Sequence, residues 1–311
     1  MPTVFIDGAA GTTGLQIHER LSGRPDLTLR ILSDAERKDP EARREALRTS
    51  DAAILCLPDD AAREAVALLG DAPTRVVDAS TAHRTAEGWA YGFPEMTAGQ
   101  AERIASARLV SNPGCYPTGA VGLIRPLVEA GLLPADHPVS VNALSGYTGG
   151  GKAMIAEFEA GTAGRGFVYG LDQAHKHLPE MTVHGLLSVT PIFAPSVGPF
   201  PQGMIVSAPL HLSALPGKPS LGDLHAALSA HYAGAALVEV APLEGAPKRL
   251  DAEALAGSDS MRLHVCGNAR TGKAVLCAVL DNLGKGAAGA AVQNLNLMLG
   301  LPEAAGLKAA A

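Results

Sequence analysis

Short apolar runs and helical segments alternate along the first third of the chain. Thr3–Asp7 ends at Gly8, and the run Ala52–Leu57 ends at Pro58, as expected of strands buried within a sheet. The remaining predicted elements of this region are strands over Leu27–Leu32 and Arg75–Asp78 and helices over Gly14–Leu21, Pro40–Thr49 and Ala61–Leu69. Strict alternation of strand and helix predicts a parallel sheet with right-handed crossovers, that is, a doubly wound nucleotide-binding type of domain.

The pattern changes after residues 111–114, because strand-like runs then dominate and several follow one another without a helix between them. This order favours a mixed or antiparallel sheet in a second, α+β domain. Its predicted strands are Val139–Ala143, Leu187–Phe193, Gly203–Leu210, Leu237–Val240, Arg262–Val265 and Ala274–Leu280. Gly286–Leu299 has helical apolar spacing and is expected to return to the first domain. We therefore predict an α/β protein with one domain of residues 1–114 plus 283–311 and another of residues 115–282.

Composition narrows the class of protein. A chain of 311 residues favours two domains, since one core stops growing near roughly 250–300 residues. With 47% hydrophobic and 18% charged residues and a net charge of −6, the chain is expected to fold and lacks the basic footprint of a nucleic-acid binder. No apolar run approaches the roughly 18 residues of a membrane helix, and the N-terminus does not resemble a signal peptide. We expect a soluble, cytoplasmic protein that binds neither nucleic acid nor membranes.

The four cysteines form no C-x-x-C pair in this sequence. Their spacing therefore argues against a disulfide framework, and no zinc or other metal site is expected.

A glycine-rich turn, Gly8-Ala9-Ala10-Gly11-Thr12-Thr13-Gly14, follows the first strand and opens the first helix. Glycines in this context allow a tight turn and let the backbone approach a pyrophosphate at the helix N-terminus. The spacing G-x-x-G-x-x-G is less specific than the commoner G-x-G-x-x-G, so a tight turn without a ligand is the alternative. We predict that Gly8, Gly11, Thr12, Thr13 and Gly14 bind a dinucleotide.

The residues after the second strand bear on which dinucleotide is bound. An acidic side chain there binds a ribose 2′-hydroxyl, whereas basic side chains pair with a 2′-phosphate. Ser33 occupies the first position, and Arg37 and Lys38 follow within the same loop. These three residues favour NADP over NAD, unless the charges simply form a solvated loop.

One cysteine has the surroundings of a nucleophile. Cys115 lies in S-N-P-G-C-Y-P-T-G, where Pro113-Gly114 forces a turn and Pro117 stands near the start of an apolar helical stretch. A thiol at a helix N-terminus is favoured as thiolate by the unpaired N–H groups and the dipole. Core packing explains the other three, Cys56, Cys266 and Cys277, and a buried turn cysteine is the alternative for Cys115.

A nucleophilic cysteine that acts on a carbonyl needs a group that handles protons. The densest histidine cluster lies in D-Q-A-H-K-H-L-P-E, residues 172–180. We select His177 from this polar loop as the candidate base, with His175 as the substitute and a solvated or capping role as the alternative.

Taken together, these segments resemble the short form of the N-acetyl-gamma-glutamyl-phosphate reductases, relatives of aspartate-semialdehyde and glyceraldehyde-3-phosphate dehydrogenases. The resemblance covers essentially the whole chain. It rests on VFIDGAAGTTG at 4–14, DASTAHR at 78–84, SNPGCYPTGA at 111–120, HKHLPEM at 175–181 and DNLGKGAAGAAVQNLNLM at 281–298.

The resemblance implies that Cys115 is the catalytic cysteine, that His177 is the base and that Asn282 helps to hold the nicotinamide of NADP. It also implies a homodimer or homotetramer. The expected reaction is the NADPH-dependent reduction of N-acetyl-glutamyl 5-phosphate to the semialdehyde and phosphate, through a thioester and a thiohemiacetal on the cysteine. This reaction belongs to arginine biosynthesis.

The substrate is anionic, so cationic and polar contacts are expected despite the acidic net charge. Arg84 and Lys152 are the candidate phosphate ligands, with Asn112 and Glu180 as further candidate substrate residues, and for both cations a plain surface charge is the alternative. The competing activity is that of an aspartate-semialdehyde dehydrogenase acting on another acyl phosphate. A regulatory dinucleotide-binding protein is the rival from a different class, but it would need no cysteine paired with an H-x-P-E segment.

Overall fold

The computed structural model of this chain describes residues 1–310. Its strands are β1 (Thr3–Asp7), β2 (Thr28–Arg30), β3 (Ala52–Leu55), β4 (Arg75–Asp78), β5 (Ala90–Tyr91), β6 (Leu109–Ser111), β7 (Ser140–Gly146), β8 (Phe167–Val168), β9 (Ile192–Gly198), β10 (Met204–His211), β11 (Val238–Val240), β12 (Met261–Asn268) and β13 (Lys273–Leu280). Its α-helices are α1 (Thr12–Leu21), α2 (Pro40–Thr49), α3 (Asp59–Leu69), α4 (Gln100–Ser106), α5 (Cys115–Glu129), α6 (Gly151–Glu159), α7 (Leu178–His184), α8 (Leu221–His231) and α9 (Gly289–Met298). A π-helical turn, Gly284–Ala288, precedes α9.

The first structural unit contains a six-stranded sheet in the order β2-β1-β3-β4-β6-β5, and every pair in it is parallel. Its middle strand β3 is buried at every position, which explains why the sequence there reads as an unbroken apolar run. The parallel sheet confirms the prediction drawn from the alternation of strands and helices.

Both faces of this sheet are covered. On one face Ile17 and Leu21 of α1 pack with Val292 and Leu295 of α9, all at 1% exposure or less. On the other face the apolar side chains of α2 and α3 surround Phe5. The C-terminal helix therefore returns to the first unit, as its apolar spacing predicted, and completes the core there.

The second unit contains a seven-stranded mixed sheet in the order β11-β12-β13-β10-β7-β9-β8. Helix α5 packs closely on β10 and β13, because Gly119 leaves no room for a side chain: a Cβ there would lie 2.8 Å from Val206. The mixed sheet confirms the predicted fold class of a Rossmann-type domain joined to an α+β domain.

One predicted strand is wrong in its position. The expected strand Leu187–Phe193 is displaced, since residues 187–191 form the connection from α7 and the strand β9 runs Ile192–Gly198. This strand contains Pro195, which has no N–H to donate to a ladder. Its carbonyl is nevertheless used, accepting the N–H of Tyr169 at 3.0 Å.

The two units differ from the expected division at three short segments. The first unit comprises residues 1–94, 98–114 and 287–307, and the second comprises residues 95–97, 115–286 and the terminus from Lys308. Glu95 belongs to the second unit because it forms a buried ion pair with Lys285, with Nζ 2.7 Å from Oε1. Lys308 belongs there because its N–H donates to Asp259 at 2.9 Å.

Within residues 1–310, the structure contains no helix with the length and apolar character needed to cross a membrane.

Candidate functional site

The glycine turn of the first unit brings two backbone segments close together. Gly8 follows β1 with a φ of +87°, and a Cβ at this position would lie 2.3 Å from the carbonyl oxygen of Cys56. Only glycine fits both the conformation and the space. The N–H of Gly11 donates to the Gly8 carbonyl at 3.0 Å, and α1 then begins at Thr12. Since Gly11 at the N-cap has no side chain to bind the first-turn N–H groups, these groups are suited to an anion.

A cavity of about 270 Å³ opens beside this turn, lined by residues of the first unit only. Leu15 and Ile31 contribute exposed apolar side chains to it, at 53% and 43% exposure. Leu15 and His18, which also line the cavity, were not among the residues predicted from the sequence. Both lie one or two helical turns from Gly11, so helical spacing from the glycine could have found them.

The three residues expected to choose the dinucleotide have different surroundings. Arg37 lines the cavity together with Asp34, and their side chains form an ion pair of 3.2 Å. Ser33 is bound to Glu36, which receives the Ser33 N–H at 2.9 Å. Lys38 ends the short 3-10 turn and is exposed. Of these three residues, Arg37 is the one that lines the cavity.

A buried ion pair lies beneath the glycine turn. Asp7, the last residue of β1, receives hydrogen bonds from Arg43 of α2, whose Nη2 lies 3.0 Å and Nε 3.3 Å from Oδ2. Burial raises the pKa of Asp7, and the neighbouring guanidinium opposes this shift. The pair joins α2 to the strand end that carries the turn. The apolar sequence around Asp7 contains no indication of this partner.

The segment 78–84 forms a dense hydrogen-bonded turn in the first unit. Asp78 is fully buried and accepts from Ser80 Oγ at 2.7 Å and from His83 Nδ1 at 2.6 Å. Arg84 is also buried, with its Nε donating to the carbonyl of Asn112 at 2.9 Å. The Arg84 guanidinium therefore joins the ends of two strands, and its role as a phosphate ligand stays a prediction.

The amide of Asn112 is bound to the chain that returns at the C-terminus. Its Nδ2 donates to the carbonyl of Ala287 at 2.9 Å, and its Oδ1 accepts from Asn294 Nδ2 at 3.1 Å. Asn112 is 1% exposed. These bonds fix the start of α9 in the first unit, and a contact of Asn112 with substrate stays a prediction.

Cys115 is the first residue of α5 in the second unit, and it is partly exposed. The helix starts there because the preceding Pro113-Gly114 turn ends the strand, while Pro117 suits the first turn of a helix. A Cβ on Gly286 would lie 2.8 Å from the Cys115 Cβ, so glycine at 286 makes room for the cysteine. The thiol therefore lies in the first turn of the helix, whose N–H groups have no partner within the helix, and its ionisation stays a prediction.

The other thiols are in environments that suppress ionisation. Burial, together with the charges of Asp78 and Asp7, raises the pKa of Cys56 to about 12. Burial likewise raises the pKa of Cys277 to about 12 and raises the pKa of Cys266.

An aromatic cluster brings the two predicted catalytic segments together in the second unit. The ring of Tyr116, next to Cys115 in the chain, lies 5.8 Å from His177 and 5.2 Å from Phe193. The Tyr169 hydroxyl donates to the Tyr116 hydroxyl at 3.2 Å. Burial raises the pKa of Tyr169 to about 12 and also raises the pKa of Tyr116. Both tyrosines are therefore neutral beside the candidate nucleophile.

His177 is 6% exposed and stands at the N-cap of α7. Pro179 follows within the first turn, and Glu180 of the same turn is 1% exposed. The polar sequence context of Glu180 gave no sign of this burial. Its contact with substrate stays a prediction.

Two further candidates lie near the glycine-rich segment before α6. Asn282 accepts the N–H of Gly203 at 2.9 Å and donates to Thr148 Oγ1 at 2.9 Å, so its amide joins two loops of the second unit. Lys152 is exposed in the first turn of α6. The nicotinamide role of Asn282 and the phosphate role of Lys152 stay predictions.

Known proteins resemble this chain over nearly its whole length. The family model "Semialdehyde dehydrogenase, NAD binding domain" matches residues 3–106, and "Semialdehyde dehydrogenase, dimerisation domain" matches residues 115–282. N-acetyl-gamma-glutamyl-phosphate reductases of Brucella ovis and Brucella suis are each 60% identical over 307 residues, which covers 96% of this chain and 99% of the relative.

Solved structures share the fold at low sequence identity. Aspartate semialdehyde dehydrogenase II of Vibrio cholerae, complexed with ASA, superposes with a TM-score of 0.73 at 17% identity, covering 96% of this chain and 98% of that one. The aspartate semialdehyde dehydrogenase of Candida albicans with NADP has a TM-score of 0.67 at 14% identity, covering 96% and 98%.

We expect iodoacetamide at mildly alkaline pH to alkylate Cys115 before the other thiols. The thiolate is the reacting form, and the raised pKa values keep Cys56, Cys266 and Cys277 protonated. Peptide mass spectrometry after a short reaction measures the site. The Cys115→Ser variant is the control, and faster labelling of Cys266 in the wild-type protein would contradict the assignment.

Proposed function

The chain belongs to the semialdehyde dehydrogenase family, within its N-acetyl-gamma-glutamyl-phosphate reductases, and we propose that it reduces N-acetyl-glutamyl 5-phosphate by covalent catalysis at Cys115. The product is N-acetyl-glutamate 5-semialdehyde, and phosphate is released. The four cysteines of the chain are free thiols, as expected for a protein in a reducing compartment, so we place the reaction in the cytoplasm.

One observation carries this proposal: a partly exposed thiol begins helix α5, and the residue that follows it packs against both histidines of the H-x-H segment. The Tyr116 ring lies 5.8 Å from His177 and 6.3 Å from His175. A nucleophile stabilised by a helix N-terminus and a nearby imidazole are the two groups that acyl transfer requires.

The proposed chemistry passes through two covalent intermediates on Cys115. The Cys115 thiolate attacks the carbonyl carbon of the acyl phosphate, the C–O bond to phosphate breaks, and a thioester remains on the enzyme. NADPH, when bound, supplies the hydride that reduces this thioester. His177, as imidazolium, gives its proton to the oxyanion that hydride transfer leaves, and it takes this hydroxyl proton back as the C–S bond of the thiohemiacetal breaks. This step releases the semialdehyde and regenerates the thiolate.

The first unit has features that fit a dinucleotide. Gly8 lets the end of β1 pass close to the carbonyl of Cys56, and α1 then begins with first-turn N–H groups that no N-cap side chain occupies, so a phosphate can bind at this helix N-terminus. The adjoining cavity combines the apolar side chains of Leu15 and Ile31 with the charged Arg37. Thr12 and Thr13, the first residues of α1, would complete the phosphate contacts.

The anionic substrate requires cationic or amide contacts in addition to the catalytic pair. Lys152 is exposed next to the glycine-rich 3-10 turn 147–150, where backbone N–H groups and an ammonium can reach phosphate oxygens. The buried guanidinium of Arg84, by contrast, already donates to the carbonyls of Asn112 and Ala79. Lys152 is therefore the more accessible candidate for phosphate.

We expect Cys115→Ser to lose several orders of magnitude of turnover and His177→Asn to lose about 10²–10⁴-fold, the usual contribution of a general acid or base. The reverse reaction provides the assay, with NADP, phosphate and either N-acetyl-glutamate semialdehyde or aspartate semialdehyde. His137→Asn, in the connection after α5, is the matched control. Near-normal turnover of Cys115→Ser contradicts the mechanism, and preference for aspartate semialdehyde contradicts the substrate.

We propose further that the cofactor is NADP rather than NAD, with Arg37 as the ligand of the 2′-phosphate. We expect Arg37→Ala to raise the KM for NADPH about tenfold or more while the KM for NADH stays unchanged, because a charge-assisted hydrogen bond contributes about 1.5–3 kcal/mol. Arg44→Ala, which removes an exposed arginine of α2, is the control. If Asp34→Asn instead raises the KM for NADH and Arg37→Ala has no effect, the cofactor is NAD.

The mixed sheet also offers a surface for a second copy of the chain. Val206 of β10 faces Gly119 of α5, so the alternate residues of the sheet face the opposite side. On that side Leu144 and Val275 are 38% and 39% exposed, and Ile192 is 62% exposed. Because the matched dimerisation domain contains this whole sheet, we propose that its exposed face joins two protomers.

Analytical ultracentrifugation at micromolar concentration is expected to give the mass of a dimer, or of a tetramer if a second surface contributes. Leu144→Glu should convert the protein to monomer, since it places a charge in the centre of an apolar interface. Circular dichroism of the variant checks that the fold is retained. A monomeric wild-type protein would contradict the proposal.

A further inference from the structure

His175 and His177 belong to a loop that is mostly exposed, and neither lies in a strand or in the interior of a helix. Residues 170–177, the histidine loop, connect β8 to α7 and are exposed at five of their eight positions. Catalysis needs the His177 imidazole held in place, and such a loop does not hold its own conformation by burial. The contacts that fix it are therefore of functional interest.

Gln173 binds this loop to the sheet. Its Oε1 accepts the N–H of Phe193 at 2.9 Å, and its Nε2 donates to the carbonyl of Phe193 at 2.8 Å. The side-chain amide thus makes the two hydrogen bonds that a neighbouring strand residue would make. The short strand β8 pairs with Ser196 and Val197 of β9, and Gln173 resumes the pairing at Phe193, farther along the same strand.

The backbone of Gln173 is in a conformation that this residue type rarely adopts. Its φ is +57°, in the left-handed region, and its N–H closes a turn on the Gly170 carbonyl at 3.0 Å. Such conformations persist where surrounding contacts determine them, and they cluster at functional sites. Here the contacts are the two hydrogen bonds from the Gln173 side chain to the backbone of Phe193. Asparagine, which is one methylene shorter, would not reach Phe193 from the same backbone position.

Contacts between His175 and His177 link the position of the loop to that of the candidate base. The N–H of His177 donates to Nδ1 of His175 at 3.1 Å, and the two rings lie 4.8 Å apart. Nδ1 accepts only while it carries no proton. Burial lowers the pKa of His175, the charge of Lys176 lowers it further, and Asp172 opposes them, so the acceptor form is favoured.

The strand residue that anchors Gln173 also belongs to the aromatic cluster. The Phe193 ring is fully buried, 5.2 Å from Tyr116 and 5.1 Å from His175. One residue of β9 thus contacts the loop through its backbone and the start of α5 through its ring.

We propose that Gln173 is a positioning residue, which holds the histidine loop on β9 and thereby fixes the imidazole of His177 beside the start of α5. The proposal rests on the proposed function, because it requires His177 to act as the base. Gln173 acts through His177 and is not itself a catalytic residue.

The test is a double-mutant cycle between Gln173→Met and His177→Asn. Methionine keeps the length of the side chain but removes both hydrogen bonds. We expect Gln173→Met to lower kcat about 10–100-fold, as small misplacements of catalytic groups do, with little change in KM. In the His177→Asn background the same substitution should cause no further loss, because the group that it positions is already absent.

Two glycine variants separate the amide contacts from the strained backbone. Gln173→Gly relieves the left-handed conformation but removes the amide, so its kcat should fall as in Gln173→Met. Lys218→Gly is the matched control, since Lys218 has a φ of +46° in the loop before α8 and should keep wild-type kcat. Hydrogen exchange of residues 170–178 should accelerate in both Gln173 variants, which checks the loop independently of activity.

The outcomes distinguish this inference from the proposed function. Normal kcat in Gln173→Met, or equal losses in the wild-type and His177→Asn backgrounds, overturns the positioning role alone. Wild-type turnover in His177→Asn itself overturns the role of the base, and the inference falls with it.

Discussion

Two helix N-termini supply the electrostatics on which the proposed chemistry depends. Helix α1 begins after the glycine turn, and α5 begins at Cys115. The first-turn N–H groups of a helix have no partner within the helix and carry its positive dipole end, so each favours an anion. In the proposed mechanism the anion is a cofactor phosphate in the first unit and the thiolate in the second. A protein with a net charge of −6 can thus provide local positive potential through its backbone.

Close packing of backbone makes both positions possible. A Cβ on Gly8 would lie 2.3 Å from the Cys56 carbonyl, and one on Gly286 would lie 2.8 Å from the Cys115 Cβ. Glycine at position 8 lets the end of β1 contact the neighbouring backbone of Cys56. Glycine at position 286 lets its backbone contact Cys115, and a side chain at either position would push these segments apart. The π-helical turn that contains Gly286 also contains Lys285, whose buried pair with a glutamate of the same unit fixes the chain next to Cys115.

Several polar residues of the family motifs are bound within the scaffold. Arg84 donates to the Asn112 carbonyl, Asn112 donates to Ala287, and Asn282 links two loops of the second unit. Buried polar groups must be satisfied, so these bonds have a structural purpose whatever else the residues contact. A residue in such a motif can therefore bind a ligand or stabilise a loop, and the motif alone does not show which of these roles it has.

Local patterns along the chain were enough to predict the parallel sheet and the helices that begin near the glycine turn and at Cys115. Apolar runs, glycine and proline at fixed offsets and helix-capping chemistry all act over a few residues, so the chain itself displays them. The strand predicted at Leu187–Phe193 was misplaced, because β9 runs Ile192–Gly198, where it pairs with β7 and β8. The pairing of Asp7 with Arg43 and the anchoring of Gln173 on β9 became visible only in the folded chain. In each case the partners are far apart in sequence, and burial and geometry, which no local pattern contains, select them.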